Sequence, residues 1–336
     1  MTAADKGDVI DHNGIFVSNL CCTRRNLTTA TMNISEEERE GVYDTSVALW
    51  NIILSIFYIL IFVIAVPGNV LALWAFFCQK STSPSKVFLR NLSVADISYV
   101  LILPMRIVYH LSDSHWPFGH ILCQLLGFLF YLNMYCSLYL MSFISLDRFL
   151  AVVFPLKSQT IRKPVYANVA VGMLWVTVII SMSPVLFSKQ TNSSGTCSKL
   201  YLEKTSQTAL VSTIVAFAIP LTTIVVSYIL IVLKLRTVRQ QEERPVKDKA
   251  IKMIILIVMN FLLAFVPYHV CRIVYIKSHS GGQIPASHDP LGRATQITSA
   301  LTCVSGVLDP VMYFVLNRAY RDTFLRLFCK NREHNL

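Results

Sequence analysis

The chain has 336 residues, 54% of them hydrophobic and only 15% charged, with a formal net charge of +11. So little charge, with a mean hydropathy of +0.54, excludes an ordinary soluble domain of this length. The basic excess does not indicate nucleic acid, because it alternates between loops and forms no basic stripe interleaved with stacking aromatics.

The first stretch is acidic (Asp5, Asp8, Asp11, Glu36, Glu37, Glu38, Glu40, Asp44). Met1 to Val9 has no apolar core before a small-residue cleavage site, so the first apolar run is expected to act as both span and targeting signal. Asn26 and Asn33 open N-x-S/T triplets ahead of it, and Asn192 opens another between the fourth and fifth apolar runs; all three are candidate glycosylation sites. Seven stretches are long enough to cross roughly 30 Å of hydrocarbon. They run about Trp50–Cys78, Lys86–Leu111, His120–Val153, Val165–Phe187, Ser206–Leu235, Lys249–Lys277 and Ala294–Leu316. Backbone in lipid must satisfy its own hydrogen bonds, so each is predicted to be a helix. Pro67, Pro104, Pro184, Pro220, Pro267 and Pro310 are expected to kink them.

Basic residues collect after the first, third, fifth and seventh stretches: Lys80 and Lys86, then Lys157, Arg162 and Lys163, then Arg236, Arg239 and Arg244, then Arg318, Arg321 and Arg326. The positive-inside rule puts these segments in the cytoplasm and the N-terminus outside, in agreement with the sequons. Asn317–Phe328 alternates arginine with Tyr320, Phe324, Leu325 and Leu327, too short to span, and reads as an interfacial amphipathic helix. Cys329 at its end is a candidate palmitoylation site, with a plain cysteine equally open. The expectation is an all-α membrane protein: an extracellular glycosylated tail over 1–48, a seven-transmembrane bundle over 49–316, and an amphipathic helix with a short cytoplasmic tail over 317–336. The two halves show no internal repeat, which disfavours a secondary transporter. No nucleophile–base set or H-E-x-x-H motif suggests an enzyme.

Polar groups inside spans are expensive and therefore informative. Gly68-Asn69 lies in the first span, Leu92-x-x-x-Asp96 in the second, and Asp147-Arg148-Phe149 closes the third. Trp175, Pro220, Phe265-x-Pro267 and Asp309-Pro310-x-x-Tyr313 follow in the next four. Together, in this order, they resemble the rhodopsin-like (class A) G-protein-coupled receptors along the whole membrane region. Phe149, Phe265 and Asp309 stand where that family more often has Tyr, Trp and Asn. All three variants resemble the branch of nucleotide, cysteinyl-leukotriene and lysophospholipid receptors. The strings Val108-Tyr109-His110, His115-Trp116-Pro117-Phe118-Gly119, Gly127–Tyr135 and Phe265-Val266-Pro267-Tyr268-His269 narrow the resemblance to its nucleotide and cysteinyl-leukotriene members.

The resemblance implies a plasma-membrane receptor partnered by a heterotrimeric G protein of the inhibitory class, by arrestin and by receptor kinases. It implies no cofactor beyond a sodium ion, in a pocket of Asp96, Asn133, Ser137 and Asp309. A hard cation prefers oxygen ligands, and two buried carboxylates otherwise repel. A hydrogen-bonded cluster with one carboxyl protonated stays open. The implied switch comprises Asp147, Arg148, Tyr228, Phe265, Pro267 and Tyr313. The family's ionic partner at the base of span six is not assigned, since Lys247, Lys249 and Lys252 are basic there. Cys123 and Cys197 match the family's outer disulfide. Cys21 and Cys22 have no counterpart in the loop before span seven, Ser278 to Arg293, which lacks cysteine.

For the ligand, His269 and Arg272 lie three apart, on one helical face. With Arg106, Tyr109, Tyr131 and Tyr135 they form the candidate binding set. Convergent arginines suit phosphate or carboxylate. The family's amine-binding acid falls at Phe130 and its retinal lysine near Cys303, which argues against both ligands. Gln296 and Ser299 occupy the outer face of span seven where related nucleotide receptors carry a basic residue, which leaves room for an anionic lipid. Phe128, Phe130 and Tyr131 are read as an aromatic wall for an acyl chain or a base. A lysophospholipid receptor, and a proton sensor using His110, His115, His120, His279 or His288, are the alternatives within the fold. A transporter or channel, hinted at only by Asp96 and Asp309, is the alternative outside it.

Overall fold

The computed structural model describes residues 46–78, 83–187, 197, 206–237, 244–279 and 290–329. Asn26, Asn33, Asn192, Cys21, Cys22 and the side chain of Cys329 lie outside the described residues. The chain forms two compact units, Met1–Ile53 and Leu54–Leu336. Of the first, only the helical residues Ser46–Ile53 are described.

The described residues are predominantly helical, with no strand among them. Seven helical spans carry enough apolar length to cross a membrane: Ser46–Phe77, Pro84–Leu111, Gly119–Val153, Pro164–Phe187, Gln207–Arg236, Ile251–His279 and Pro290–Val315. Each lies within a few residues of its predicted stretch. The first span is α1. The second divides into α2 (Pro84–Val100) and α3 (Leu103–Leu111). Pro104 causes the break, because its ring displaces the carbonyl four residues back and it has no N–H to give. The chain answers with a tight turn, Ile102 N–H bonding Tyr99 O at 3.0 Å and Met105 N–H bonding Ile102 O at 3.1 Å. α4 (Gly119–Val153) is the third span, α5 (Pro155–Ile161) a short helix after it, and α6 (Pro164–Phe187) and α7 (Gln207–Thr237) the fourth and fifth.

The sixth span runs as α8 (Arg244–Asn260), a π turn (Phe261–Phe265) and α9 (Val266–His279). The π turn stands immediately before Val266-Pro267, where the helix must absorb a missing donor. The seventh is α10 (Pro290–Thr302) and α11 (Ser305–Leu316), joined through Cys303 and Val304 by bonds three residues apart, Cys303 N–H to Ala300 O and Gly306 N–H to Cys303 O. α12 (Arg318–Cys329) follows, the amphipathic segment expected from its sequence.

α4 is the most buried span and packs against α2, α6 and α7. Large apolar side chains such as Leu60, Val63, Val169, Ile180, Val225 and Leu262 are exposed instead, as a bilayer solvent permits. Between spans one and seven the backbones approach closely. A Cβ built on Gly68 would stand 2.7 Å from Pro310 Cγ. Asn69 Nδ2 donates beside it to Gly306 O at 2.8 Å and to Ala65 O at 3.0 Å. Tyr320 of α12 donates to Gly68 O at 3.4 Å, which ties the amphipathic helix to the same junction. Trp175 Nε1 donates to Asn91 Oδ1 at 3.1 Å, joining spans four and two.

Candidate functional site

Arg106 on α3 is completely buried. Its guanidinium carbon lies 4.9 Å from the Phe130 ring centroid and 5.8 Å from those of Tyr58 and Tyr99. Its Nη1 donates to the Tyr58 hydroxyl at 3.2 Å. Three electron-rich faces thus replace water around a cation that hydrocarbon would reject. The Phe130 ring is 2% exposed and committed to this cage.

Arg272 on α9 is also buried, with its guanidinium carbon 5.5 Å from the Tyr275 centroid. Between the two arginines lies a tyrosine cluster. Tyr268 donates to the Tyr131 hydroxyl at 3.2 Å, Tyr131 stacks on Tyr135, and Phe130 meets both Tyr131 and Tyr268 edge-on. Phe130 links the Arg106 cage to Tyr131 and Tyr268, and Arg272 stands one helical turn after Tyr268 on α9.

His269 stacks on Phe217 at 4.3 Å and faces Tyr135 edge-on. Its Nδ1 donates to Phe265 O at 2.8 Å. Nε2 is then the bare acceptor, buried and without a hydrogen-bond partner among the described residues. Five of the six candidate ligand residues therefore meet at one cluster. The sixth, Tyr109, contacts His110 and Trp116.

Deeper in the bundle, Asn133 Nδ2 donates to Asp96 Oδ1 at 3.1 Å and approaches Ser137 Oγ at 3.4 Å. The Tyr313 hydroxyl lies 3.5 Å from Asp96 Oδ2. Asp96 and Asp309 are both buried. Asn260 donates to Asp309 Oδ1 at 2.7 Å. Asp309 Oδ2 and Asn260 Oδ1 are buried acceptors without a partner among the described residues. Such orphaned oxygens beside two carboxylates fit a hard cation.

At the C-terminal end of α4 Asp147 pairs with Arg148 at 3.1 Å. Arg162 also holds Asp147, at 2.7 Å. Tyr228 is hydrogen-bonded to Ser145 at 2.7 Å rather than to Arg148. Phe265 closes the π turn and packs on Phe261, which stacks on Phe217. Near the N-terminal end of α4 Cys123 forms a disulfide with Cys197, with Cα atoms 5.7 Å apart.

Several participants escaped the sequence. Asn260 had a signal, a lone amide in the apolar run Met253–Phe265. Arg162 was visible only as a topological charge. Tyr58, Tyr99, Tyr268 and Phe217 read as ordinary bundle aromatics until the register of neighbouring spans is known.

Fold, disulfide and buried polar clusters define a seven-helix membrane receptor. The profile of the 7 transmembrane receptor (rhodopsin family) matches residues 68–313, and the chain belongs to that family. It is 48% identical to the uracil nucleotide/cysteinyl leukotriene receptor of Homo sapiens, over 84% of this chain and 78% of that one. It is 47% identical to the Mus musculus protein of the same name, over 84% and 85%. A purinoceptor from Rattus norvegicus is 32% identical over 80% of this chain and 75% of that one. The family consists of multi-pass plasma-membrane receptors that couple small-molecule ligands to G proteins, not of enzymes.

Proposed function

We propose that the chain binds an extracellular anionic ligand, a uracil nucleotide, nucleotide sugar or cysteinyl-leukotriene-like lipid, and converts that binding into activation of a heterotrimeric G protein of the inhibitory class. The N-terminus faces outward and α12 lies on the cytoplasmic side, where arrestin and receptor kinases also act. One observation carries the ligand's charge: two buried arginines stand beside the Tyr131–Tyr268 pair, Arg106 of span two through Phe130 and Arg272 of span six one helical turn from Tyr268. Arginine's planar fork matches phosphate or carboxylate oxygens in pairs. His269 Nε2 offers an acceptor at the floor of the cluster to a donor on the ligand. The names of the relatives supply the two chemistries to try first.

The Asp147–Arg148 pair is the cytoplasmic switch, and Asp96, Asn133, Ser137 and Asp309, joined by Asn260, hold a sodium ion that favours the resting state. The test of the binding site is agonist dose-response on surface-matched cells, with a uracil nucleotide and a cysteinyl leukotriene as probes. Arg272→Ala should lower the potency of the active probe by about one to two decades, the worth of a charge-assisted contact. Arg272→Lys should lower it less. Unchanged potency in both Arg106→Ala and Arg272→Ala rejects the anionic pocket.

A further inference from the structure

Arg162 stands at the end of α5, the short helix after span three. Its Nε donates to Asp147 Oδ1 at 2.7 Å and its Nη2 to Asp147 Oδ2 at 2.9 Å. The guanidinium thus takes both oxygens as a fork, the strongest geometry open to this pair. Arg148 reaches the same carboxylate by a single contact, Nη2 to Oδ2, at 3.1 Å. Ser85 of α2 donates to that same Oδ2 at 2.7 Å, and Arg148 Nη2 also bonds Ser85 Oγ.

One carboxylate therefore serves two guanidiniums and a hydroxyl. The Asp147 side chain is 4% exposed, against 23% for Arg162 and 27% for Arg148. In such a partly dry setting the contest is decided by contact geometry more than by solvent. Arg162 holds the better geometry, and the two like charges repel across the shared acid. Both effects weaken the restraint on Arg148.

We infer that Arg162 is a positioning residue of the cytoplasmic switch: by taking the Asp147 carboxylate from α5, it loosens Asp147's hold on Arg148 and raises the resting activity of the receptor. The inference rests on the proposed role of Asp147 and Arg148 as that switch. The sign follows from what Asp147 does when Arg162 is gone. A buried carboxylate keeps a cation, and Arg148 is adjacent, so Arg148 takes the vacated oxygens and is held more firmly. Neither the position nor the charge of Arg162 suggests this alone; a loop arginine would otherwise simply snorkel or face the headgroups.

The test measures guanine-nucleotide exchange on purified heterotrimers of each major class, with no ligand added, in membranes matched for receptor content. The variants are Arg162→Ala, Arg162→Lys, Asp147→Asn and the double variant Asp147→Asn with Arg162→Ala. Basal exchange should fall roughly two- to five-fold in Arg162→Ala, the scale of a partly exposed ion pair acting on a two-state equilibrium. Arg162→Lys keeps the charge without the fork and should fall between. Asp147→Asn should raise exchange, and adding Arg162→Ala to it should change nothing further. A wild-type chain silent on every heterotrimer, or an unchanged or higher rate in Arg162→Ala, overturns the inference. So does an equal fall in both backgrounds, which would mean that Arg162 touches the G protein or merely supports α5. If Asp147→Asn leaves exchange unchanged, the switch assignment itself fails, and the inference falls with it.

Discussion

Replacing Phe130 by leucine separates two roles for the ring. If it stacks on a nucleobase, the substitution harms a nucleotide and spares a lipid. The structure gives it another task, since the Phe130 centroid lies 4.9 Å from the Arg106 guanidinium carbon, the shortest of the three ring contacts around that cation. Leucine keeps most of the apolar volume but has no negative face. Without that face the guanidinium gains freedom to swing toward the outer interface, and returning it to the ligand costs up to about 2 kcal/mol, the worth of a desolvated cation–π contact. Potency should fall by up to about thirty-fold. The loss should be equal for a uracil nucleotide and a cysteinyl leukotriene, because each would present its anion to the same arginine. In an Arg106→Ala background, Phe130→Leu should add little, as expected of residues sharing one contact. The assay is dose-response on surface-matched cells. A nucleotide weakened while the leukotriene is untouched would refute the cage and restore the stacking role.

Gly68→Ala should destabilise the junction of spans one and seven by about 1–3 kcal/mol, because the new methyl meets rigid Pro310 ring atoms at 2.7 and 2.9 Å; thermal unfolding of purified receptor in detergent checks it, and an unchanged midpoint refutes it. Cys123→Ser and Cys197→Ser should each cost about 2–5 kcal/mol and with it surface expression or ligand response; surface labelling at normal wild-type level together with intact response in both refutes it. Raising sodium at constant ionic strength should lower basal nucleotide exchange, and Asp96→Asn or Asn260→Ala should abolish that dependence; a salt response identical in both variants rules the cluster out as the ion site.

The spans were legible because a bilayer writes its demands in composition. Twenty apolar residues in a row have one backbone solution. Pro184, Pro220 and Pro310 lie inside uninterrupted helices, whereas a break was legible at Pro104. The π turn at Phe261–Phe265 was not, since nothing local in Phe-Leu-Leu-Ala-Phe distinguishes it from an ordinary helix. Buried ionisable residues announced themselves by their cost, so Asp96, Arg106, Arg272 and Asp309 could be named in advance. Their partners could not. Tyr58, Tyr99 and Phe130 surround Arg106 from three different spans, and only the relative rotation of those helices brings them together. Arg162 failed for a related reason: its meaning depends on how α5 folds back beneath span three, which no periodicity records.

The pattern of expense also bears on why these residues are kept. An apolar side chain at the position of Arg106, Arg272, Asp96 or Asp309 would pack in the bundle interior without any desolvation cost. Aromatic faces offset that cost for Arg106, and an amide and a hydroxyl offset part of it for Asp96. The offset is incomplete where it matters. Asp309 Oδ2, Asn260 Oδ1 and His269 Nε2 remain buried acceptors with no partner among the described residues. Left without a partner, each such group costs about 1–3 kcal/mol. A ligand or ion that satisfies them recovers that free energy only in the conformation that presents them together. Under the proposed reading, a bound molecule that met these groups in one conformation and not in the other would shift the equilibrium through that difference in affinity, the one means by which binding can do so.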